Sequence, residues 1–148
     1  MGALIAKEVA VESSLLSRQA LLRIKDRMST LPQLEQKLSH HFINGVCVRS
    51  LAIPAGAGAV GKVHKTEYIA ILAKGSALLA NEDGEQQIEA GFIQECKPGT
   101  MNVFYAITDC VFMNVLRTDK TDINDIVSEA VCDTHEEFLE GLCHLQQS

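Results

Sequence analysis

The middle of the chain consists of short β-branched and aromatic runs separated by glycine, proline and aspartate, with no helical pattern between them. Runs at this spacing are typical of antiparallel sheets, because parallel strands need a long crossover connection that is usually helical. The sequence therefore predicts an antiparallel sandwich or barrel. The expected strands are Val46–Ile53, Glu67–Ala73, Ser76–Ala80, Gln86–Ala90, Phe92–Cys96, Met101–Ile107 and Cys110–Leu116, with a hairpin turn at Asp83-Gly84.

The segment before these strands has the periodicity of an amphipathic helix. From about Val9 to Met28, apolar residues recur at helical spacing between polar ones. They include Val11, Leu15 and Leu22. Pro32 ends the pattern because the residue before a proline is disfavoured in a helix. A further short helical turn or two is expected over Gln33–His41.

The pattern becomes helical again after Arg117. Asp122 is placed to begin one helix, and Thr134 and Glu137 have the spacing of a capping box that opens another. Phe138 and Leu142 lie on the apolar side of that second helix. The predicted organisation is a helical extension over residues 1–42, a β-domain over 43–118 and a helical segment over 119–148.

Composition limits the partners to expect. Among 148 residues, 13 are Lys or Arg and 19 are Asp or Glu, and the formal net charge is −6. An acidic chain without a basic run is not expected to bind nucleic acid, since positive charge holds a phosphate backbone. Apolar runs such as Tyr68–Ala73 are far shorter than the roughly 18 residues of a membrane helix, so no membrane partner is expected.

The same considerations bear on location. The first residues lack the basic and apolar regions of a secretion signal. The five cysteines have no tight repeating spacing, which favours reduced thiols over a disulfide framework. A cytoplasmic location is expected.

Two groups of residues in the β-domain have a recognisable spacing. The first is Gly56, five residues, Lys62-Val63-His64, three residues, Tyr68, six residues and Gly75. The second runs from Gly91 through Pro98-Gly99 to Asn102. These spacings resemble the two cupin motifs, of which the first reads G-x5-H-x-H-x3-E-x6-G. The resemblance implies a mainly β, cupin-type antiparallel jelly-roll barrel with an N-terminal amphipathic helix and C-terminal helices.

A narrower resemblance covers about Leu31 to Thr118. The segments His64-Lys-Thr-Glu67 and Tyr105-Ala-Ile-Thr-Asp109 are its more specific parts. In these segments the chain is similar to the small RmlC-like cupins encoded by tailed bacteriophages and prophages.

The cupin resemblance implies a metal site of three histidines and one carboxylate. The four corresponding positions here are Lys62, His64, Tyr68 and Asn102. His64 is an ordinary metal ligand, whereas the ammonium of Lys62 has no lone pair to give. We therefore expect no metal and no other cofactor.

Two catalytic alternatives stay open. His64 and Glu67 could form a weak partial metal site if the strand register shifted by one residue, since Glu67 and Tyr68 otherwise face opposite sides. Without a metal, His64 as base with Tyr68 or Tyr105 as acid would resemble the sugar-nucleotide epimerases of this fold. The possible residual site is therefore His64, Glu67 and Tyr105.

Loss of the motif side chains favours a non-enzymatic role. The phage resemblance implies a virion structural protein, either a decoration or cement protein or a tail-associated adaptor. Such a protein is expected to form homo-oligomers and to bind other virion proteins, in the host cytoplasm during assembly and then in the virion. The contacts are expected at open strand edges or at helical apolar residues, namely Val11, Leu15, Leu22, Phe138 and Leu142.

Overall fold

The computed structural model of the chain describes residues 18–35, 37–134 and 136–141. The strands are β1 Lys37–Ile43, β2 Val46–Ile53, β3 Gly58–Val60, β4 Val63–His64, β5 Tyr68–Lys74, β6 Ser76–Asn81, β7 Gly84–Glu89, β8 Ile93–Cys96, β9 Val103–Ala106, β10 Cys110–Arg117 and β11 Val131–Cys132. The helices are α1 Arg18–Ser29 and α2 Ile123–Ala130, and residues 136–141 are also helical. Val11, Leu15 and Leu142 lie outside the described residues.

The described strands form two larger sheets and one small one. The first has the order β1-β2-β10-β5-β8, the second has the order β3-β9-β6-β7, and β11 pairs with β4. All of the pairings are antiparallel. The prediction of a mainly β, antiparallel fold is confirmed.

The principal core lies between the two larger sheets. Leu72 comes from the first sheet and Leu79 from the second, and both are buried in one cluster. Phe104 and Phe112 join the sheets, with ring centroids 4.3 Å apart. The alternation of buried and exposed residues along β5 is the period of two that places one face of a strand in a core.

A second core joins the helical segments to the strands. Ile24 of α1 and Phe138 pack in one buried cluster with Met101 and Val103, and Met28 packs against it. This agrees with an amphipathic α1 whose apolar side meets the protein. It also corrects the expectation for Phe138, because a side chain buried here is not offered to a partner. Leu22 is half-buried.

The predicted strands are close to those observed. Val46–Ile53 is found as predicted, and the other six predicted strands differ at their ends by one or two residues. The hairpin is also confirmed, although its loop is Glu82-Asp83, because Gly84 already pairs with Asn81. The side chain of Asn81 accepts a hydrogen bond from the Asp83 amide at 2.9 Å, as in an Asx turn.

The structure corrects the expectation of helical turns over Gln33–His41. Residues 37–43 form β1, which pairs with β2 along its whole length. The helical extension predicted over residues 1–42 therefore contains most of an edge strand. This strand escaped sequence reasoning because an edge strand exposed on both faces has no apolar alternation.

The helical starts predicted after Arg117 are observed. The Asp122 carboxylate caps α2 by accepting hydrogen bonds from the Asn124 and Asp125 amides. The Thr134 hydroxyl accepts one from the Glu137 amide at 3.1 Å. The Glu137 carboxylate in turn accepts one from the Asp133 amide at 3.2 Å, one residue earlier than in a standard capping box.

None of the helices within the described ranges has the length and apolar character needed to cross a membrane.

Candidate functional site

A cavity of about 280 Å³ opens at the end of the principal core, and it contains the predicted motif positions. The two larger sheets, α2 and the segments around β4 and β11 all contribute to its wall. Its polar lining comes from Arg49, Lys62, His64, Tyr68, Asn102 and Asn114. Its apolar lining includes Leu38, Leu51, Phe104, Phe112, Val127 and Val131. A second cavity of about 390 Å³, beside α1 and β3, holds none of the predicted site residues.

His64 is held in the cavity wall by backbone pairing on β4. Its amide donates to the Thr100 carbonyl at 3.1 Å, and its carbonyl accepts from the Gly99 amide at 2.7 Å. The side chain is 5% exposed, and its ring stacks on Tyr68 with centroids 3.7 Å apart. The Nδ1 atom is buried without a hydrogen-bond partner.

Burial also sets the charge of His64. Desolvation, assisted by the positive charge of Arg49, lowers the pKa of His64 from 6.5 to about 4. The imidazole is therefore neutral at pH 7, and one ring nitrogen can donate while the other accepts.

Tyr68 and Asn102 form a buried hydrogen-bond chain. The Asn102 Nδ2 atom donates to the Tyr68 hydroxyl at 2.8 Å. Asn81 Nδ2 donates to Asn102 Oδ1 at 3.2 Å. Burial raises the pKa of Tyr68 far above its usual value, so this hydroxyl stays protonated at physiological pH.

Of the remaining predicted site residues, Lys62 lines the cavity, whereas Glu67 and Tyr105 do not. The Lys62 side chain is 54% exposed and pairs with Asp133, its Nζ lying 3.2 Å from Oδ1. Glu67 is exposed, next to the buried Tyr68. Tyr105 follows Phe104 on β9 and faces the opposite side of that strand. His64 is thus brought together with Tyr68 and Asn102, and not with Glu67 or Tyr105 as the residual site required.

Sequence reasoning missed three polar residues that lie in one cross-strand row. His40 of β1 pairs with Arg49 of β2, and Arg49 pairs with Asn114 of β10. Each has a buried side-chain atom without a hydrogen-bond partner: His40 Nε2, Arg49 Nε and Asn114 Oδ1. A signal existed in β2, because the alternation that turns Cys47, Leu51 and Ile53 inward also turns Arg49 inward.

The donor set does not fit the metal that the cupin motifs normally hold. At the four motif positions stand an ion-paired ammonium, one histidine, a protonated phenol and an amide, and the phenol and amide already bond each other. Within residues 18–35, 37–134 and 136–141, no three His, Cys, Asp or Glu side chains are grouped closely enough for a metal ion. A metal ion held by protein side chains needs several such donors.

Comparison with known proteins identifies the fold. No protein-family model and no curated protein matches the sequence. A salicylate 1,2-dioxygenase from Pseudaminobacter salicylatoxidans superposes with a TM-score of 0.54 at 9% identity, over 76% of this chain and 34% of that one. An RmlC-like cupin family protein from Methanocaldococcus jannaschii is 16% identical over 57% of this chain and 82% of that one, with a TM-score of 0.49.

The fold is therefore the mainly antiparallel, cupin-type β-fold that the sequence predicts, with short helices added. At 9% identity the superposition on the dioxygenase shows the scaffold alone, and one scaffold hosts many functions.

Proposed function

We propose that the protein is a non-enzymatic structural protein that works by self-association through the edge strand β1. The phage part of this proposal is based on the resemblance of His64–Glu67 and Tyr105–Asp109 to small phage cupins. The protein would assemble in the host cytoplasm and then serve in the virion, bound to copies of itself and to other virion proteins. The exposure of β1 is the observation that carries the self-association.

Strand β1 is a long edge strand whose one formally charged residue is Lys37, at its first position. It has seven residues, six of them exposed, and its apolar Leu38, Phe42 and Ile43 are 40%, 42% and 74% exposed. One side of β1 pairs with β2, and the other side is the edge of the sheet. Long edges with exposed apolar residues and unpaired backbone groups favour pairing with another chain.

The other edges in the described residues are better protected. At the opposite end of the same sheet, β8 has four residues and includes Glu95. In the second sheet, β3 has three residues, and β7 includes Glu85 and Glu89. Short length and charge both oppose edge pairing. This difference favours β1 as the assembly edge.

The sequence of β1 suits pairing with a second copy of itself. In an antiparallel pair centred on His40, Leu38 of each copy lies opposite Phe42 of the other. Residues directly opposite on two antiparallel strands are in side-chain contact, so this register makes two equivalent apolar contacts. Such an interface is two-fold symmetric, as in the commonest class of soluble oligomers.

Light scattering coupled to gel filtration tests the self-association. We expect the wild-type chain to be dimeric and Phe42→Lys to be monomeric with an unchanged circular dichroism spectrum, since a lysine on an edge opposes pairing. Ile93→Lys is the matched control, because Ile93 is 64% exposed on the edge strand β8. It should leave the dimer intact. A monomeric wild-type chain, or a dimeric Phe42→Lys variant, contradicts the proposal.

The virion role needs a separate experiment. Particles of the phage or prophage that carries the gene are purified on a density gradient and probed for the chain with an antibody. Association with particles at a constant ratio, and its loss with Phe42→Lys, is the expected result. A chain that stays in the soluble fraction, away from intact particles, contradicts a structural role in the virion.

A further inference from the structure

Unsatisfied polar atoms are concentrated at the cavity that contains His64. Arg49, His64 and Asn114 all line it, and each has a buried polar atom without a partner, Nε, Nδ1 and Oδ1 respectively. A buried polar group without a hydrogen bond has lost its water without replacement, so such groups are rare in proteins. Three residues with such atoms line this one cavity, where a ligand could supply hydrogen-bond partners.

The positive charge of Arg49 in the cavity wall favours an anionic ligand. Arg49 makes no ion pair within the described residues, whereas Lys62, the other cation in the wall, is paired with Asp133. A guanidinium presents its N–H groups as a planar fork that matches the two oxygens of a carboxylate. One unpaired arginine suits a single negative charge.

The neighbouring groups call for a hydrogen-bond donor on the same ligand. Asn114 is directly paired with Arg49 across β2 and β10, so their side chains start about 5 Å apart. The orphaned Oδ1 of Asn114 is an acceptor and needs an N–H or O–H. The neutral His64 ring can take either role at Nδ1. A hydroxyl next to the carboxylate of the ligand would meet these needs.

The rest of the wall and the volume define the body of the ligand. Phe104, Phe112 and Val127 are among the apolar residues that line the cavity. A volume of about 280 Å³ is at the lower limit of small-molecule sites. An apolar body of the size of one phenyl ring fits these properties better than a nucleotide does.

We propose that this cavity is a metal-independent binding site for a small 2-hydroxycarboxylate with an apolar body. Arg49 holds the carboxylate, Asn114 accepts a hydrogen bond from the hydroxyl, and His64 completes the polar contacts. Leu38 of β1 also lines the cavity, but the three polar contacts lie on β2, β4 and β10, so the titration below tests this site independently of the self-association proposed above.

Isothermal titration of the full chain at pH 7 tests the ligand class with three related probes. Mandelate has both the carboxylate and the hydroxyl, phenylacetate lacks the hydroxyl, and mandelamide lacks the charge. We expect mandelate to bind most tightly and mandelamide at least about tenfold more weakly, as loss of a charge-assisted contact implies. Equal binding of mandelate and mandelamide, or no binding of any probe, overturns the proposal.

Variants then assign the contacts. Arg49→Gln should weaken mandelate binding by at least about tenfold, and Arg49→Lys should retain part of it, since it keeps the charge without the fork. Asn114→Ala should remove the preference for mandelate over phenylacetate. Arg117→Gln, which removes an exposed arginine of β10 outside the cavity, is the matched control and should bind as the wild type does.

Two further outcomes would overturn the assignment. If a folded Arg49→Gln variant bound mandelate with wild-type affinity, Arg49 would not be a ligand contact. Inorganic phosphate that displaces mandelate and binds more tightly would show a general anion site instead of a carboxylate site. The comparison of probes on the wild-type chain remains decisive even if a variant fails to fold.

Discussion

Among single residues, His64 occupies a metal-ligand position of the cupin motif but is buried against its neighbours. Its spacing marks it as a metal ligand, yet its ring lies flat against Tyr68 and its Nδ1 atom has no partner. The other motif positions give it no second metal-binding donor. Arg49 and Asn114, which line the same cavity, lie outside the cupin motifs.

The lowered pKa of His64 predicts a loss of stability in acid. In the unfolded chain the histidine pKa is 6.5, and in the folded protein it is about 4. The unfolded state therefore binds the proton more tightly between these values. The contribution of His64 to the free energy of unfolding is fully present above pH 6.5. It is lost as the pH falls toward 4, and the loss reaches about 3 kcal/mol.

Urea denaturation between pH 7 and pH 4 measures this dependence. The His64→Gln variant should show a flatter profile than the wild type. His40 contributes in the same direction, because desolvation and Arg49 also lower the pKa of His40, so some slope remains. His41→Gln, at an exposed position, serves as the control. Parallel profiles for the wild type and His64→Gln would contradict the prediction.

The unpaired Arg49 predicts a variant that gains stability while it loses binding. Methionine has a similar length and no polar group to leave unsatisfied, so Arg49→Met relieves the buried Nε atom. We expect the free energy of unfolding of the ligand-free protein to rise by about 1 kcal/mol. Mandelate should no longer raise the melting temperature of the variant. A less stable Arg49→Met would mean that the guanidinium already stabilises the free protein.

At the scale of the element, glycines decide where strands can turn. Gly75 joins β5 to β6 with a φ of +88°, and a Cβ atom added there would lie 2.3 Å from the Asp109 carbonyl oxygen. Gly45, between β1 and β2, has a similar φ of +86° with no atom within 4 Å of such a Cβ. At both positions an L-residue would strain the backbone, but only at Gly75 would its Cβ atom also clash with neighbouring atoms.

This difference predicts unequal effects of the same substitution. Gly45→Ala should lose about 1 kcal/mol of stability, the cost of a left-handed conformation for an L-residue. Gly75→Ala adds a clash with backbone and should lose at least about 3 kcal/mol, as the larger core-strain effects do. Denaturant unfolding of both variants measures the difference. Equal losses would mean that the Asp109 loop moves aside freely.

The elements also show how far the sequence could be read. Strands with a buried face and clear turn residues, such as β2 and β5, were predicted within one residue because alternation and turn chemistry are local signals. β1 gave no such signal, and β3 and β4 are too short to show a period. Spacing correctly grouped His64, Tyr68 and Asn102. It could not bring in Arg49 and Asn114, because their pairing depends on which strands become neighbours in the sheet.

At the scale of the whole molecule, the two core clusters have different roles. The cluster between the sheets holds the scaffold and supports the cavity. The second cluster uses Ile24 and Phe138 to join the helical segments to the strands, so these residues complete the protein itself. Because Ile24 and Phe138 are buried within the protein, β1 is the long edge strand with exposed apolar side chains among the described residues. Self-association is therefore expected there and not at Ile24 or Phe138.

If β1 joins two copies, the stability of the protein must depend on its concentration. A dimer that dissociates on unfolding is stabilised by mass action, so the wild-type melting temperature should rise as the chain is concentrated. The melting temperature of Phe42→Lys should not depend on protein concentration, whereas that of Ile93→Lys should rise with concentration as the wild type's does. Differential scanning calorimetry over a hundredfold range of concentration measures this. A concentration-independent wild type would mean either a monomer or a dimer that stays associated when unfolded, and light scattering on the same samples separates them; either result contradicts assembly through folded β1 edges.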